Sequence, residues 1–107
     1  MKLTELEPQF LKIESNVMYH HTDMIQEADG IMFLCPKCFE TNKGSVGTHS
    51  IICWQPNVSQ DFTPKPGRWK FEGTGYNDLT LVANSSSIKL EGEGCQAHFF
   101  IRNGHIV

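Results

Sequence analysis

The stretch Cys35-Pro36-Lys37-Cys38 constrains this chain more than any other. Two thiolates two residues apart, in a tight turn opened by the apolar run Ile31-Met32-Phe33-Leu34, fit adjacent corners of one tetrahedral metal ion. Zinc wants four ligands and this knuckle supplies two. A second half-site, Cys95-Gln96-Ala97-His98, repeats the spacing near the end of the chain. Cys35, Cys38, Cys95 and His98 therefore make the expected Cys3His set, tying the middle of the chain to its end. His49 and Cys53 are the competing ligands, because their i, i+4 spacing in a strand puts both on one face. Four protein ligands would close the shell and make the ion structural; three ligands and a water would open it to catalysis.

Four cysteines suggest metal before disulfide in a reducing compartment, and the N-terminus lacks the apolar core of a signal peptide. The expected location is the cytoplasm. No apolar run has the length of a membrane span. The net charge of −3 and the absence of any basic run argue against a nucleic-acid binder. At 107 residues, with 39% hydrophobic and 20% charged residues, the chain reads as a single globular domain, 1–107. A core of that size is modest, so a metal staple would contribute to its stability.

The pattern predicts a mainly β fold: a small antiparallel β domain with one short helix, an N-terminal arm and a zinc knuckle. Residues 1–21 are expected as an N-terminal arm or edge strand. Residues 22–29 are expected as a short helix, capped by Thr22 or Asp23 and ended by Gly30. A zinc-stabilised β core is expected over 31–107. Its strand signals are Ile31–Leu34, the β-branched and aromatic Ser50–Trp54, the alternations around Trp69–Phe71 and Leu79–Ala83, then Ser86–Leu90 and Ala97–Arg102. Asn103-Gly104 is a hairpin signal. Gln55–Gly67, with three prolines, is expected as a long surface excursion, and Gly73-Thr74-Gly75 as a tight turn rather than a phosphate cradle.

Other residues invite chemistry. Ser85-Ser86-Ser87 precedes Ile88, and a hairpin between 85–90 and 97–102 would bring a serine hydroxyl toward His98 as its base. Asp78 or Glu72 would be the carboxylate that orients the base. His98 also fits a core histidine, since Ala97–Ile101 reads as a strand. His20-His21 looks like a metal dyad but suits two surface residues better, and Trp54 and Trp69 suit a core better than a ligand face.

Taken together, Ala28–Phe39, Gly47–Trp54, Pro66–Trp69, Gly73-Thr74-Gly75 with Asp78–Leu81, Ser85–Ile88 and His98–Gly104 resemble small proteins of tailed phages and prophages, over roughly residues 28–107. Such proteins sometimes carry the label "ammonia monooxygenase". A copper or di-iron oxygenase needs histidine and carboxylate clusters, which this sequence does not show. The same family is similar, more distantly, to peptidases of bacterial ubiquitin-like gene clusters. Those continue past the His-x-Phe-Ile segment into an Asp-Ser/Thr-x-His stretch. The present sequence ends at Val107 without it, and has Asn84-Ser85-Ser86-Ser87 where they carry Ser-Pro-Ser-Ile. The resemblance singles out Cys35, Cys38, His49, Ser87 and His98.

The leading expectation is a non-enzymatic protein-interaction module with a structural zinc site and a protein partner. The alternative is a peptidase-like hydrolase using His98 with Ser87, or a zinc-bound water.

Overall fold

In the computed structural model, residues 1–15, 18–59, 61–62, 68–82, 88–89 and 98–107 are described, with the backbone alone at 88, 89 and 98. Four strands form an antiparallel sheet in the order β2-β1-β3-β4. They are β1 (Gln9–Ile13), β2 (Tyr19–Thr22), β3 (Gly30–Leu34) and β4 (Ser50–Trp54). One short helix, α1 (Pro36–Asn42), joins β3 to β4. Three two-stranded ladders follow: β5 (Lys70–Glu72) with β6 (Thr80–Val82), β7 (Ile88–Lys89) with β8 (His98–Phe99), and β9 (Ile101–Arg102) with β10 (His105–Ile106). The mainly β expectation holds.

Alternation along the central strands builds two apolar faces. Ile31 and Phe33 of β3 pair with Cys53 and Ile51 of β4 on one side. Phe10, Leu3, Leu6, Leu79, Leu81, Phe99 and Ile101 complete that larger core. Phe33 meets Phe99 edge-on, and Phe10 stacks on Tyr76 with ring centroids 4.3 Å apart. The other face gathers Leu11, Trp54 and Val58, with Ile13, Met32, Ile52 and Phe62 packed around them. A sheet covered on both faces reads as runs of apolar residues, as β3 does. Gly30 is where Trp54 lies flat on the sheet: a Cβ there would meet the indole ring directly.

The structure revises several expectations. Residues 1–21, expected as an N-terminal arm or edge strand, supply β1 and most of β2. A 3-10 turn (Leu3–Leu6) buries Leu3 and Leu6 completely, β1 is interior, and β2 is one of the two edge strands of the sheet. Over 22–29 there is no α-helix, only a 3-10 turn at Ile25–Glu27. Thr22 ends β2 opposite Phe10, and tertiary bonds draw the remainder toward the sheet. The Asp29 N–H donates to the Leu11 carbonyl (2.7 Å), and the Asp29 carboxylate accepts from the Ile13 N–H (2.8 Å). The helix lies instead directly after Cys35, with Pro36 at its first position, where a missing N–H costs nothing.

Gln55–Gly67 is only partly an excursion. Its described part turns back over Trp54, held by the Arg68 guanidinium, which donates to the carbonyls of Ser59 (2.7 Å) and Phe62 (3.0 Å). The Asn103-Gly104 hairpin forms as expected, with Arg102 opposite His105 and both turn residues at positive φ. The N-terminal segment clasps it. Leu3 N–H donates to the Gly104 carbonyl and Ile106 N–H to the Met1 carbonyl, both at 2.8 Å.

Candidate metal centre and candidate active site

Three residues that can ligate a metal converge at one end of the central sheet. Cys35 follows β3, Cys38 lies in the first turn of α1, and His49 precedes β4. Their ligand atoms all lie within 4.8 Å of one another. Cys35 is buried, Cys38 half-buried and His49 exposed.

Local structure explains the convergence. The β3–β4 ladder pairs Leu34 with Ser50, and one step further the Cys35 N–H donates to the His49 carbonyl (2.9 Å). Two of the three ligands are thus cross-strand neighbours despite fourteen positions of separation. The helix turn then swings Cys38 over them, its start fixed by the Phe39 N–H on the Cys35 carbonyl (2.9 Å). The chain leaves α1 through Lys43 in the left-handed region, and the Gly44 N–H reaches back to the Phe39 carbonyl (3.0 Å). Thr48 laces the return: its hydroxyl donates to the Gly44 carbonyl (2.7 Å) and accepts from the Asn42 amide (3.2 Å). This bracing delivers His49 to the cysteines.

The sequence put His49 and Cys53 together as competing ligands, and the structure separates them. Cys53 is fully buried in the larger core opposite Ile31. Four residues of strand place it about 13 Å from His49. Desolvation pushes its thiol well above the ordinary range, so it is an apolar core residue and a poor thiolate. Cys95 lies outside the described residues, as does the side chain of His98. The group that can hold a metal ion among the described residues is Cys35, Cys38 and His49.

Serine chemistry has a partial frame. Ser85, Ser86 and Ser87 lie outside the described residues. The β7–β8 ladder pairs Ile88 with Phe99 and Lys89 with His98, so the two residues that follow the serine run and the His98 backbone belong to one antiparallel ladder. Asp78 is committed elsewhere. Its carboxylate accepts from the Thr74 N–H (2.9 Å), the Thr74 hydroxyl (2.9 Å) and the Gly75 N–H (3.0 Å). Those bonds hold it below the usual carboxylate range and define the Gly73-Thr74-Gly75 turn. Glu72 stands exposed on β5 opposite Thr80.

The remaining candidates are surface or core. His20 and His21 are exposed on β2, next to Glu14 (3.0 Å) and Asp23 (2.8 Å) respectively. Trp54 is buried in the smaller core, and Trp69 packs half-buried against the larger one. No helix among the described residues is long and apolar enough to cross a membrane.

Comparison with family models matches residues 4–107 to BubE, a bacterial ubiquitination-like system serine protease family. This agrees with the ubiquitin-like side of the resemblance and carries nothing about phage or prophage origin. Among curated proteins and among solved structures the chain has no significant match.

Proposed function

The chain belongs to the BubE family of bacterial ubiquitination-like system serine proteases, and from that premise we propose that it is a serine hydrolase acting on a peptide bond of a ubiquitin-like protein. The observation that carries this reading is the family match over 4–107, a span that includes Ser87 and His98. It favours the hydrolase over the non-enzymatic interaction module that the cysteine knuckle alone suggested. The ubiquitin-like protein is then the protein partner, as substrate.

In this reading Ser87 is the nucleophile and His98 its base. The Ser87 hydroxyl attacks the scissile carbonyl and gives its proton to His98. His98 then protonates the leaving amine; in the second half a water deprotonated by His98 attacks the acyl group, and His98 returns that proton to the Ser87 oxygen as the acid leaves. The β7–β8 pairing supports this pairing of roles, because it joins the chain just after Ser87 to the chain at His98. Asp78 is occupied in its turn, so the proposal names a serine–histidine pair without a carboxylate orienter.

Two thiolates and an imidazole are the donor set of zinc. Zinc at Cys35, Cys38 and His49 would be structural here, and the serine would do the chemistry.

Labelling with a fluorophosphonate probe tests the proposal, together with cleavage of a ubiquitin-like protein carrying a C-terminal extension. The expected result is one label per chain, on Ser87, and cleavage that is lost in Ser87→Ala and His98→Ala with unchanged thermal melting. An unlabelled, inactive wild-type chain, or a Ser87→Ala variant that cleaves as well as wild type, refutes it.

A further inference from the structure

We infer that Cys35, Cys38 and His49 are ligands of one tetrahedral, thiophilic divalent metal ion. This assignment differs from the Cys3His set that spacing alone favoured. It stands on its own geometry, whether or not the serine chemistry holds.

Distance is the first support. In a tetrahedral site with metal–sulfur bonds of about 2.3 Å, two sulfur ligands sit about 3.8 Å apart. The three ligand atoms already lie within 4.8 Å of one another, close to that spacing.

Independent bracing is the second. Cys35 is set by its N–H on the His49 carbonyl, Cys38 by the first turn of α1, and His49 by the Thr48 hydrogen bonds. None of these bonds uses a ligand atom of the three residues. The geometry is therefore built by the backbone before any ion arrives, as preorganised sites require.

Burial is the third. The gradient from buried Cys35 through half-buried Cys38 to exposed His49 puts the soft sulfur donors inside and the imidazole at the rim. An ion can enter from the His49 side and be held from the Cys35 side. Two thiolates select zinc-class ions over magnesium or calcium, which prefer oxygen.

The role that follows is a bracket at one corner. The ion would pin the end of β3, the start of α1 and the start of β4 to each other. Cys35 is itself part of the larger core, and Cys38 and Phe39 pack against it, so this corner is continuous with that core. Metal removal should therefore lower the melting temperature and loosen α1 together with the ends of β3 and β4 that it joins.

Cobalt(II) titration of the full chain, stripped of metal and reduced, tests the assignment. Wild type should show a thiolate-to-cobalt charge-transfer band and the visible bands of a tetrahedral ion, at one ion per chain. Zinc should displace the cobalt. His49→Ala should weaken binding by more than the roughly 10–100-fold typical of losing a mere outer-shell partner. Since His49 is exposed, that variant should keep its far-UV circular dichroism, so lost binding cannot be blamed on lost folding. Cobalt binding that persists undiminished in His49→Ala overturns the assignment, and so does a wild-type chain that binds no cobalt.

Discussion

Replacing Gly104 by alanine is the sharpest single test of the fold. Gly104 has φ +75°, at the second position of the Asn103-Gly104 turn. An added Cβ would run into the Asn77 carbonyl and lie 3.2 Å from the Asp78 nitrogen. Both obstacles are backbone, so no side chain can swing aside. Gly104 also donates its N–H to the Leu79 carbonyl and accepts from the Leu3 N–H, each at 2.8 Å. A local shift would strain both bonds. Left-handed backbone costs a non-glycine residue about 1–2 kcal/mol, and overpacking a tight site adds about 1–3 kcal/mol. The sum is about 2–5 kcal/mol, a large share of the roughly 5–15 kcal/mol that holds a domain together. At about 4 °C per kcal/mol for a chain near this length, the melting temperature should fall by about 8–20 °C. Gly75→Ala is the control, because nothing lies within 4 Å of its added Cβ; it should stay within about 0.5 kcal/mol of wild type. Urea and thermal unfolding of the pair give the answer. A Gly104→Ala loss below about 1 kcal/mol, less than the backbone strain alone, would refute the close-contact argument.

Two further outcomes follow from named hydrogen bonds. Tyr76→Phe keeps the ring stacked on Phe10 but removes the hydroxyl that accepts the Phe10 N–H at 2.8 Å; urea unfolding should show a loss of about 1–3 kcal/mol, and an unchanged midpoint would mean that water replaces the bond. Asp78 carries a depressed pKa from its Thr74 and Gly75 donors, so its contribution is present above the unfolded pKa of about 3.9 and disappears as pH falls through the lower folded value. Asp78→Asn should accordingly flatten the fall in melting temperature below about pH 4, and an acid limb identical to wild type would remove Asp78 as its source.

The parts of this structure legible in the sequence are those set by local chemistry. Asn103-Gly104 announces a turn needing positive φ, and the turn is there. Ser50–Trp54 is β-branched and aromatic, and it is β4. The Cys35/Cys38 spacing announces a pair, and the two do converge. What stayed hidden depends on partners distant in sequence. Thr22–Asp29 has caps and a stopping glycine, yet Asp29 is drawn to Leu11 and Ile13 of β1, and Gln55 donates to the Ala28 carbonyl (2.6 Å). Gly30 then serves the Trp54 ring rather than a helix end. Helix α1 went unread because seven residues with one large apolar side chain, Phe39, carry no periodicity; Pro36 at its first position was the available signal. His49 entered only as an alternative, since the strand register that brings it to Cys35 is not written in any spacing.

The clasp between the chain's two ends has a kinetic consequence. Most ladders here join neighbours in sequence, such as β1 with β2, β9 with β10, and β3 with β4 across α1. Local hairpins of this kind close quickly, because little loop entropy is lost. The pairing of Lys2 with His105 is the opposite: it closes a loop of about a hundred residues. Its entropy is repaid only once Leu3 and Leu6 reach the core beside Leu79 and Ile101. It should therefore form late in folding and open first on unfolding. Both ends would then fray as one unit, and hydrogen exchange would show the Leu3 and Ile106 amides losing protection together rather than in turn.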